Sequence, residues 1–493
     1  MPSLRRKLFS GTVYTLGSVL GIQIISLLTS VIYARLLGKE GLGVFAVLMQ
    51  LSAAIIPLSS LGLGTAVTRM IPEYRKKAPN EIETLLSSAF IVTLVAGFAV
   101  SIGYFVLADF LAAVYGVPDL VLLIRISASL VVLNALVVLA AAIVQGFQRV
   151  KELALLGLVG QGVTVPVTFY MTLTWGLLGA VLAGTVSLAL TIAIYFRAVR
   201  SIVRTNELKI SWSRVDRRHA AALLRVALPL FASFILLRPA LLFQSSYLAL
   251  HIGYAELGLF RVASVLYRAV LLLPIALSVP LLPAISEMYA EGTRDRTRGQ
   301  LSSLIRVTAL LSLPIALAIG LGSGPIIEFL FGPEYLAASL LVFIISAAAF
   351  VDTIGVVVEN TLLGTGRTFH VLLLTMMQAV VISLGSFFFI SAFGLLGIGF
   401  AILLNAVLYA AVVGGYFLVQ RELSFRGVRS SLALALGVFL VASLLVLLGG
   451  QNNLPILVVF LAALLLIEFK LLSERDRFVL RDALKGILGG DVP

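Results

Sequence analysis

Long apolar runs separated by short polar segments extend along almost the whole chain. A helix needs about twenty apolar residues to cross the hydrocarbon core of a bilayer. About fourteen runs reach that length, so the pattern predicts an all-α polytopic membrane protein with about fourteen transmembrane helices. The predicted spans are 8–34, 41–68, 84–108, 120–148, 153–174, 176–196, 226–250, 257–285, 307–327, 335–363, 368–392, 394–420, 430–449 and 454–472.

Composition supports a membrane environment and narrows the available chemistry. Hydrophobic residues make up 60% of the 493 residues and charged residues only 12%, whereas soluble domains are about a quarter charged. Cysteine is absent, which excludes disulfides, thiolate metal sites and cysteine nucleophiles. The three histidines, His219, His251 and His370, are far apart in sequence, so we expect no metal site.

The basic residues predict the topology. With the N-terminus inside, thirty of the 36 lysines and arginines lie in inner segments, two lie outside (Arg35 and Lys39), and four lie within spans. Cytoplasmic loops of membrane proteins carry such an excess of positive charge. The net charge of +13 therefore reflects topology, and we expect no nucleic-acid partner. The prediction is a multi-pass protein of the cell membrane with both termini in the cytoplasm.

Two short patterns recur and indicate an internal repeat. Gly176-Leu177-Leu178-Gly179 returns as Gly394-Leu395-Leu396-Gly397, at an offset of 218 in the numbering, and the loops 146–149 and 364–367 match at the same offset. The segment 38–45 matches 253–260 at an offset of 215. Because each copy holds six spans, an even number, the copies share one orientation and form a parallel repeat.

The repeat predicts the domain organisation. We expect two six-helix lobes, residues 1–200 and 226–421, joined by a basic cytoplasmic linker at 201–225. Two extra spans occupy 422–472, and 473–493 forms a cytoplasmic tail. The tail alternates apolar and basic positions, which favours a helix lying on anionic lipid; a solvated tail is the alternative.

Five arginines are candidate binding residues for an anionic head group. Arg125, Arg238, Arg261 and Arg268 lie within spans, and Arg35 ends the first span. Charge at membrane depth is costly and usually faces an interior cavity or a partner. Guanidinium binds phosphate oxygens bidentately and keeps its proton. The alternative is that each arginine pairs with an acid or extends to the outer interface.

Two acids on the tenth span are the second group of candidates. Asp352 and Glu359 are seven residues apart and share one helix face. They either balance the charge of the arginines or bind H⁺ or Na⁺ as a coupling site, and Glu359 has Arg367 as a nearby partner. No P-loop, G-x-S-x-G or H-E-x-x-H motif occurs, so we expect no catalytic residues, no cofactor and no enzymatic activity.

The first lobe resembles a known family. The resemblance is carried by 34–45 (ARLLGKEGLGVF), 61–64 (LGLG) and 72–74 (PEY), which are similar to the polysaccharide-biosynthesis flippases of the multidrug/oligosaccharidyl-lipid/polysaccharide exporter (MOP) superfamily. It implies two six-helix lobes around a central cavity, through which alternating access turns polyprenyl- or dolichyl-linked oligosaccharide from the cytoplasmic to the outer leaflet. Of the five candidate arginines, only Arg35 lies within the matching segments, so the resemblance supports Arg35 alone. The two extra spans help to form a lipid groove in related lipid II flippases.

Three functions remain open at this point. The first is a flippase for lipid-linked oligosaccharide, working as a monomer among membrane lipids and with glycan-assembly enzymes as further partners. The second is an ion-coupled multidrug or cation antiporter of the same superfamily; such exporters commonly carry an acid in the first span, which 8–34 lacks. The third is a membrane protein of glycan assembly that does not transport.

Overall fold

The computed structural model describes residues 2–208, 215–290, 294–364 and 367–419, and within these ranges the chain is helical without any strand. Two short 3₁₀ helices, Pro79–Glu81 and Pro333–Ala338, accompany the α-helices. The α-helices are α1 Pro2–Ser60, α2 Leu63–Lys77, α3 Ile82–Val106, α4 Ala108–Tyr115, α5 Leu120–Gly146, α6 Val150–Thr205, α7 Arg217–Ile235, α8 Leu237–His251, α9 Tyr254–Ala290, α10 Arg294–Leu321, α11 Ser323–Leu330, α12 Ser339–Gly364, α13 Thr368–Phe393 and α14 Leu395–Val419.

The helices confirm the all-α membrane architecture. In the described ranges seven helices are long and apolar enough to cross a membrane, or eight if the bent pair α10–α11 counts as one span. Two of these stretches, Gly17–Lys77 and Val150–Thr205, have 61 and 56 residues. The second contains two predicted spans, and the first contains 41–68 and the part of 8–34 from Gly17 onward. The extra spans at 422–472 and the tail at 473–493 lie outside the described residues, so the count of fourteen stays a prediction.

Contacts divide the chain into two compact units. One consists of Gly17–Leu250, and the other of His251–Pro493 together with Met1–Leu16. The predicted lobe limits, 1–200 and 226–421, came from the sequence repeat and not from contacts. They stay a prediction.

The unit Gly17–Leu250 has an apolar core near one end of its helices. Leu63, Ile71, Leu85 and Ile143 are among the buried side chains there, contributed by α2, α3 and α5. Helix α7 joins this core through Leu223. Its first turn is capped by Asp216, whose carboxylate accepts a hydrogen bond from the backbone N–H of Arg218 at 3.1 Å, and such caps stabilise helix starts.

In the second unit α12 packs against α9, α10 and α14. Two apolar clusters surround it: Leu313 and Leu317 of α10 meet Phe350, and farther along Leu362 lies with Val413 of α14. Apolar residues on every side of a helix are expected when neighbouring helices cover it. The two predicted intramembrane acids are therefore carried by a helix enclosed by other helices.

The repeat is confirmed by backbone geometry. Gly176 has φ 55° and ψ −129°, and Gly394 has φ 57° and ψ −128°. Only glycine adopts this conformation without strain. Three residues later the chain passes very close to itself in both copies: a Cβ on Gly179 would lie 1.8 Å from the Met171 carbonyl oxygen, and one on Gly397 would lie 2.0 Å from that of Phe389. Two helices are thus joined by the same tight glycine turn in each copy.

Further matches extend the repeat beyond the glycine turns. Arg149 and Arg367, which are equivalent in the repeat, have φ/ψ of −84°/58° and −82°/50°. Their backbone N–H groups donate to the carbonyls of Val144 and Leu362, five residues earlier in each case. The helices α4 and α11 each have eight residues and also occupy equivalent positions in the two copies.

Some predicted span limits need correction. The run 41–68 is interrupted at Leu61 and Gly62, which both have positive φ, and α2 then forms a separate helix. The run 307–327 bends by 71° between Leu321 and Ser323. The run 226–250 is divided at Leu236, because Pro239 lacks the N–H that would donate to the Ile235 carbonyl. Apolar content alone does not reveal such breaks.

Candidate functional site

Arg125, on α5, lies in an exposed ion pair. Its guanidinium contacts the Asp109 carboxylate of α4 at 2.8 Å and lies 5.3 Å from the centre of the Phe105 ring. The side chains of Arg125 and Asp109 are 40% and 67% exposed. The alternative left open by the sequence, pairing with an acid, therefore describes Arg125 better than a binding role.

Arg35 and Arg238 both lie on the surface of the unit Gly17–Leu250. Arg35 is exposed on α1, three residues before the non-helical Gly38. Arg238 is exposed in the first turn of α8, and it has neither an ion pair nor a hydrogen bond within the described ranges. Its charge is therefore not balanced by any acid of the described chain.

The polar residues that follow Arg238 join α8 to the rest of this unit. Ser245 is buried and accepts a hydrogen bond from the Gln50 side chain of α1 at 3.1 Å. Ser246 shares a hydrogen bond with the hydroxyl of Tyr115, the last residue of α4. These contacts fix the helix that carries Arg238.

The second unit contains Arg261 and Arg268 on α9. Arg261 is half-buried, and Arg268 is exposed. Arg268 makes no ion pair or hydrogen bond with any described residue. Two turns of helix separate the two guanidiniums, which share one face.

Phenols, and not guanidiniums, bind the two acids of α12. The Tyr267 hydroxyl on α9 donates a hydrogen bond to the Asp352 carboxylate. The Tyr409 hydroxyl on α14 donates to Glu359 over 3.4 Å. Neither carboxylate forms an ion pair with a described residue. In the described helices, therefore, the two acids do not balance the charge of the arginines by direct pairing.

Gly355 gives Tyr409 the space to reach Glu359. It lies between Asp352 and Glu359 on the same face of α12, and a Cβ there would lie 2.6 Å from the Tyr409 ring. The suggested pairing of Glu359 with Arg367 does not occur either. Arg367 lies instead against Tyr416, with its guanidinium 5.9 Å from the ring centre and 3.4 Å from the hydroxyl.

A buried amide on α14 adds an oxygen acceptor to this unit. The side-chain carbonyl of Asn405, one helical turn before Tyr409, is buried without a hydrogen-bond partner among the described residues. A buried unsatisfied acceptor is rare and needs an explanation. In the part of the chain that the structure describes, no group of three or more acidic or histidine residues is arranged to hold a metal ion.

Tyr267, Tyr409, Asp109 and Asn405 were not identified from the sequence. Each partnership except that of Arg125 joins residues 50 or more positions apart, and the rotation of each helix decides which side chains meet. A search for hydrogen-bond donors on the neighbouring spans would have included both tyrosines, but nothing in the sequence distinguishes them from the other twelve.

Comparison with known proteins decides the family. The family described as polysaccharide biosynthesis protein matches residues 8–289, which is more than half of the chain. The protein belongs to this polysaccharide biosynthesis family. The match confirms the resemblance noted in the first lobe, and it includes Arg35, Arg125, Arg238, Arg261 and Arg268.

Solved structures share the fold of this polysaccharide biosynthesis family member. The lipid II flippase MurJ in an inward closed conformation matches with a TM-score of 0.75 at 14% identity, over 92% of this chain and 96% of MurJ. An inward-facing multidrug resistance MATE family transporter of the MOP superfamily matches with a TM-score of 0.72 at 18% identity, over 82% and 98% of the two chains.

A MOP superfamily transporter from Pyrococcus furiosus, whose binding pocket is described as having reverse polarity, matches with a TM-score of 0.61 at 16% identity, over 84% of this chain and 96% of its own. No curated protein sequence matches significantly. The folds are those of flippases and transporters, in agreement with the predicted non-enzymatic class. At these identities the likeness concerns the fold alone.

Proposed function

We propose that this family member is a flippase that moves polyprenyl- or dolichyl-(pyro)phosphate-linked oligosaccharide from the cytoplasmic to the outer leaflet. The two lobes would expose the head group to one side of the membrane and then to the other, by alternating access. The lipid tail would stay in the bilayer during this movement. Both termini would lie in the cytoplasm of a cell-membrane protein that works as a monomer, beside glycan-assembly enzymes that supply and consume the glycan.

Uncompensated positive charge within predicted spans is the observation that carries this proposal. Arg238 and Arg268 are exposed and have no acid partner among the described residues. A charge at membrane depth without a counter-ion needs water or an anionic ligand. The (pyro)phosphate of a lipid-linked sugar supplies oxygens that suit a guanidinium. Arg35 and Arg261 complete the proposed set, whereas Arg125 is engaged with Asp109.

The α12 acids support an ion-coupled cycle. Asp352 and Glu359 are free of ion pairs in the described chain, each with a tyrosine hydroxyl as its donor. A carboxylate in that state can accept H⁺ or Na⁺ when the surrounding helices rearrange. The unsatisfied carbonyl of Asn405 on the adjoining helix adds an oxygen of the kind that Na⁺ prefers. Coupling through these groups would make flipping directional.

A flipping assay tests the proposal. Purified protein in liposomes would be given a fluorescent polyprenyl-pyrophosphate oligosaccharide, and its accessibility to a membrane-impermeant quencher would be followed over time. Hydrogen bonds to charged groups are worth about 1.5–3 kcal/mol, so Arg238→Gln and Arg268→Gln should each slow flipping about tenfold or more. Lys77→Gln is the matched control, because Lys77 is an exposed cation outside the spans and forms an ion pair with Glu73. Equal rates for the arginine variants and the control would remove the anion-binding mechanism.

A second candidate function follows from the same acids. Carboxylates without a cationic partner also suit a cationic drug, and the MATE fold match keeps a multidrug/cation antiporter open. The same liposomes decide between the two functions. Export of an ethidium-like cation that Asp352→Asn abolishes, without movement of lipid pyrophosphate, would establish the antiporter. If the liposomes show neither activity, the third function remains, that of a glycan-assembly protein that does not transport.

A further inference from the structure

An apolar cavity lies at one end of α3, α5 and α6, within the unit Gly17–Leu250. Its volume is about 690 Å³, within the range of about 300–1,000 Å³ that is usual for ligand pockets. The walls are almost entirely aliphatic and aromatic. They include Leu86, Phe90, Leu139, Ile143, Phe196 and Val199. Phe90 and Phe196 are 37% and 61% exposed, so the cavity opens on the lipid-facing surface.

The cavity extends from the membrane-spanning part of the helices to their predicted cytoplasmic ends. Its lining comes from the first turns of α3 and the last turns of α5 and α6, which adjoin the loops predicted to be cytoplasmic. Along α6 the lining extends from Ile192 to Val203, which is about 16 Å at 1.5 Å per residue. The predicted span ends at Phe196. The lining therefore begins within the inner leaflet and continues, from residue 197 to Val203, at the level of the lipid head groups.

Positive charge surrounds the cytoplasmic end of this cavity. Arg197, Arg200 and Arg204 recur along one face of α6, all are exposed, and none has an acid partner among the described residues. Arg200 also lines the cavity. The nearby Arg149 is already engaged, with its guanidinium 3.2 Å from Glu152 and 3.5 Å from the Ser201 hydroxyl. Three unpaired guanidiniums thus lie where lipid phosphates are found.

From this arrangement we propose that the cavity is a binding site for an anionic phospholipid of the inner leaflet. An acyl chain fills the apolar walls, and Arg200, supported by Arg197 and Arg204, binds the phosphodiester. The apolar lining excludes a free soluble anion as the ligand, and the arginine cluster selects against zwitterionic lipids. The site shares no residue with the proposed set that includes Arg238, Arg268 and the α12 acids. It does not depend on which substrate the protein transports.

Lipid retention by the full chain tests this site. Native mass spectrometry would measure phosphatidylglycerol and phosphatidylcholine bound to the purified protein. One basic residue near a membrane surface changes affinity for anionic lipid about fivefold, so Arg200→Gln should weaken phosphatidylglycerol binding about fivefold. Ala140→Phe should prevent it by filling the cavity that Ala140 lines. Arg217→Gln, an exposed inner arginine outside the cavity, should leave binding unchanged.

A measurement on the unaltered protein removes any dependence on how the variants fold. Phosphatidylglycerol with a photoreactive acyl chain should crosslink in nanodiscs to peptides of α3, α5 and α6 around the cavity. Equal retention of the two lipids, crosslinks located elsewhere, or equal binding by wild type and Arg200→Gln would each overturn the proposal. Stoichiometric displacement of the lipid by a polyprenyl pyrophosphate would also overturn it, because the cavity would then belong to the substrate.

Discussion

The two copies of the repeat agree closely in their turns and differ in their charged groups. Gly176 and Gly394 have nearly identical backbone angles, and α4 and α11 have the same length. At the offset that relates these glycines, however, Asp352 and Glu359 of the second copy correspond to Asn134 and Ala141 of the first. At the offset of 215, Arg261 and Arg268 correspond to Ala46 and Ala53.

The hydrogen bonds of buried tyrosines also differ between the two copies. In the first copy the buried Tyr104 hydroxyl contacts neutral groups, the hydroxyls of Ser52 and Ser127, each at 3.5 Å. In the second copy Tyr267 and Tyr409 donate to carboxylates. Ser52 and Tyr267 occupy equivalent positions at the offset of 215.

This contrast separates two kinds of constraint. The turns have to let two helices pass backbone against backbone, so any copy of the fold needs glycine there. The polar positions along the spans carry no such requirement, and they were free to diverge in chemistry. We infer that the second copy, which also contains Arg238, carries the ion-dependent part of the cycle. The first copy supplies mainly a frame with Arg35 and the ion pair between Arg125 and Asp109.

The largest effect is expected where the copies are the same. In Gly179→Ala and Gly397→Ala the added methyl would meet a backbone carbonyl at 1.8 Å and 2.0 Å, and backbone cannot move aside as a side chain can. Overpacking typically costs about 1–3 kcal/mol and occasionally more. Both variants should therefore give much less monodisperse folded protein than wild type in fluorescence-detected size-exclusion chromatography.

Two other glycines provide matched controls for the same substitution. A methyl added at Gly184 would have no atom closer than 3.6 Å, and one added at Gly414 would have none within 4 Å. Alanine at these helical positions should be tolerated or slightly stabilising, by up to about 1 kcal/mol. A normal yield for Gly397→Ala beside a poor yield for Gly179→Ala would show that the two turns are not under the same constraint.

These glycine turns explain why so much of the fold was predictable. Apolar runs of this length are typical of membrane spans, so the spans could be predicted from residue type. A backbone φ near 55° favours glycine, so the repeated turns could be predicted as well. The interruption at Leu61 escaped prediction because leucine rarely adopts the positive φ of 47° that it has there. The 71° bend after Leu321 escaped because the apolar run was taken as continuous through Gly322, Ser323 and Gly324, although such residues favour a break.

The next effect tests the tyrosines. Tyr267→Phe removes the donor to Asp352 and leaves a carboxylate without a hydrogen bond in the described helices. We expect the free energy of unfolding to fall by about 2 kcal/mol, because bonds to charged groups contribute about 1.5–3 kcal/mol. Tyr104→Phe, in the first copy, should cost less than about 1 kcal/mol, because its partners are neutral hydroxyls. Denaturation in mixed micelles, followed by circular dichroism, measures both variants.

The tyrosine comparison also has an outcome that would contradict it. If Tyr104→Phe proves as costly as Tyr267→Phe, the carboxylate does not distinguish the two copies. Asp352→Asn combined with Tyr267→Phe supplies the double-mutant cycle, which isolates the pairwise interaction. The loss in the double variant should then be clearly smaller than the sum of the two single losses.

Removal of the Asp352 charge, with the equivalent position of the first copy as the control, tests whether Asp352 couples transport to an ion gradient. Asp352→Asn should remove the response of transport to an imposed H⁺ or Na⁺ gradient, an effect of about tenfold in rate if the coupling is of ordinary size. Asn134→Ala, at the matching position of the first copy, should leave the gradient response intact. Initial rates with and without the gradient in liposomes provide the measurement, and a gradient response that persists in Asp352→Asn would exclude this carboxylate as the coupling group.

The candidate site was only partly predictable, for a physical reason. A charged residue inside an apolar run is visible in the sequence, so Arg238, Arg268, Asp352 and Glu359 could be singled out. Their partners could not, because a side chain meets its neighbour only after helix rotation and depth are fixed. Arg125 illustrates the difference: its partner Asp109 is only 16 residues away, yet the break between α3 and α4 that brings Asp109 into reach was not foreseen.

The smallest effect concerns carboxylates in water at helix starts of the first unit. The backbone N–H of Arg218, and then His219, lowers the pKa of Asp216 below its ordinary value. A lowered pKa in the folded state stabilises the fold above the unfolded-state value of about 3.9, and this contribution disappears as the pH falls through the folded pKa. Asp216→Asn should therefore lower the thermal midpoint slightly at pH 7, and the difference from wild type should shrink as the pH falls below about 3.9.

Asp119 is the matched control for this pH dependence. It precedes α5 as Asp216 precedes α7, but its side chain makes no cap hydrogen bond. Asp119→Asn should then leave the thermal midpoint at pH 7 unchanged, because no cap hydrogen bond is lost. If Asp216→Asn differs from wild type by the same amount at pH 7 and pH 3, the ionised carboxylate is not what caps α7.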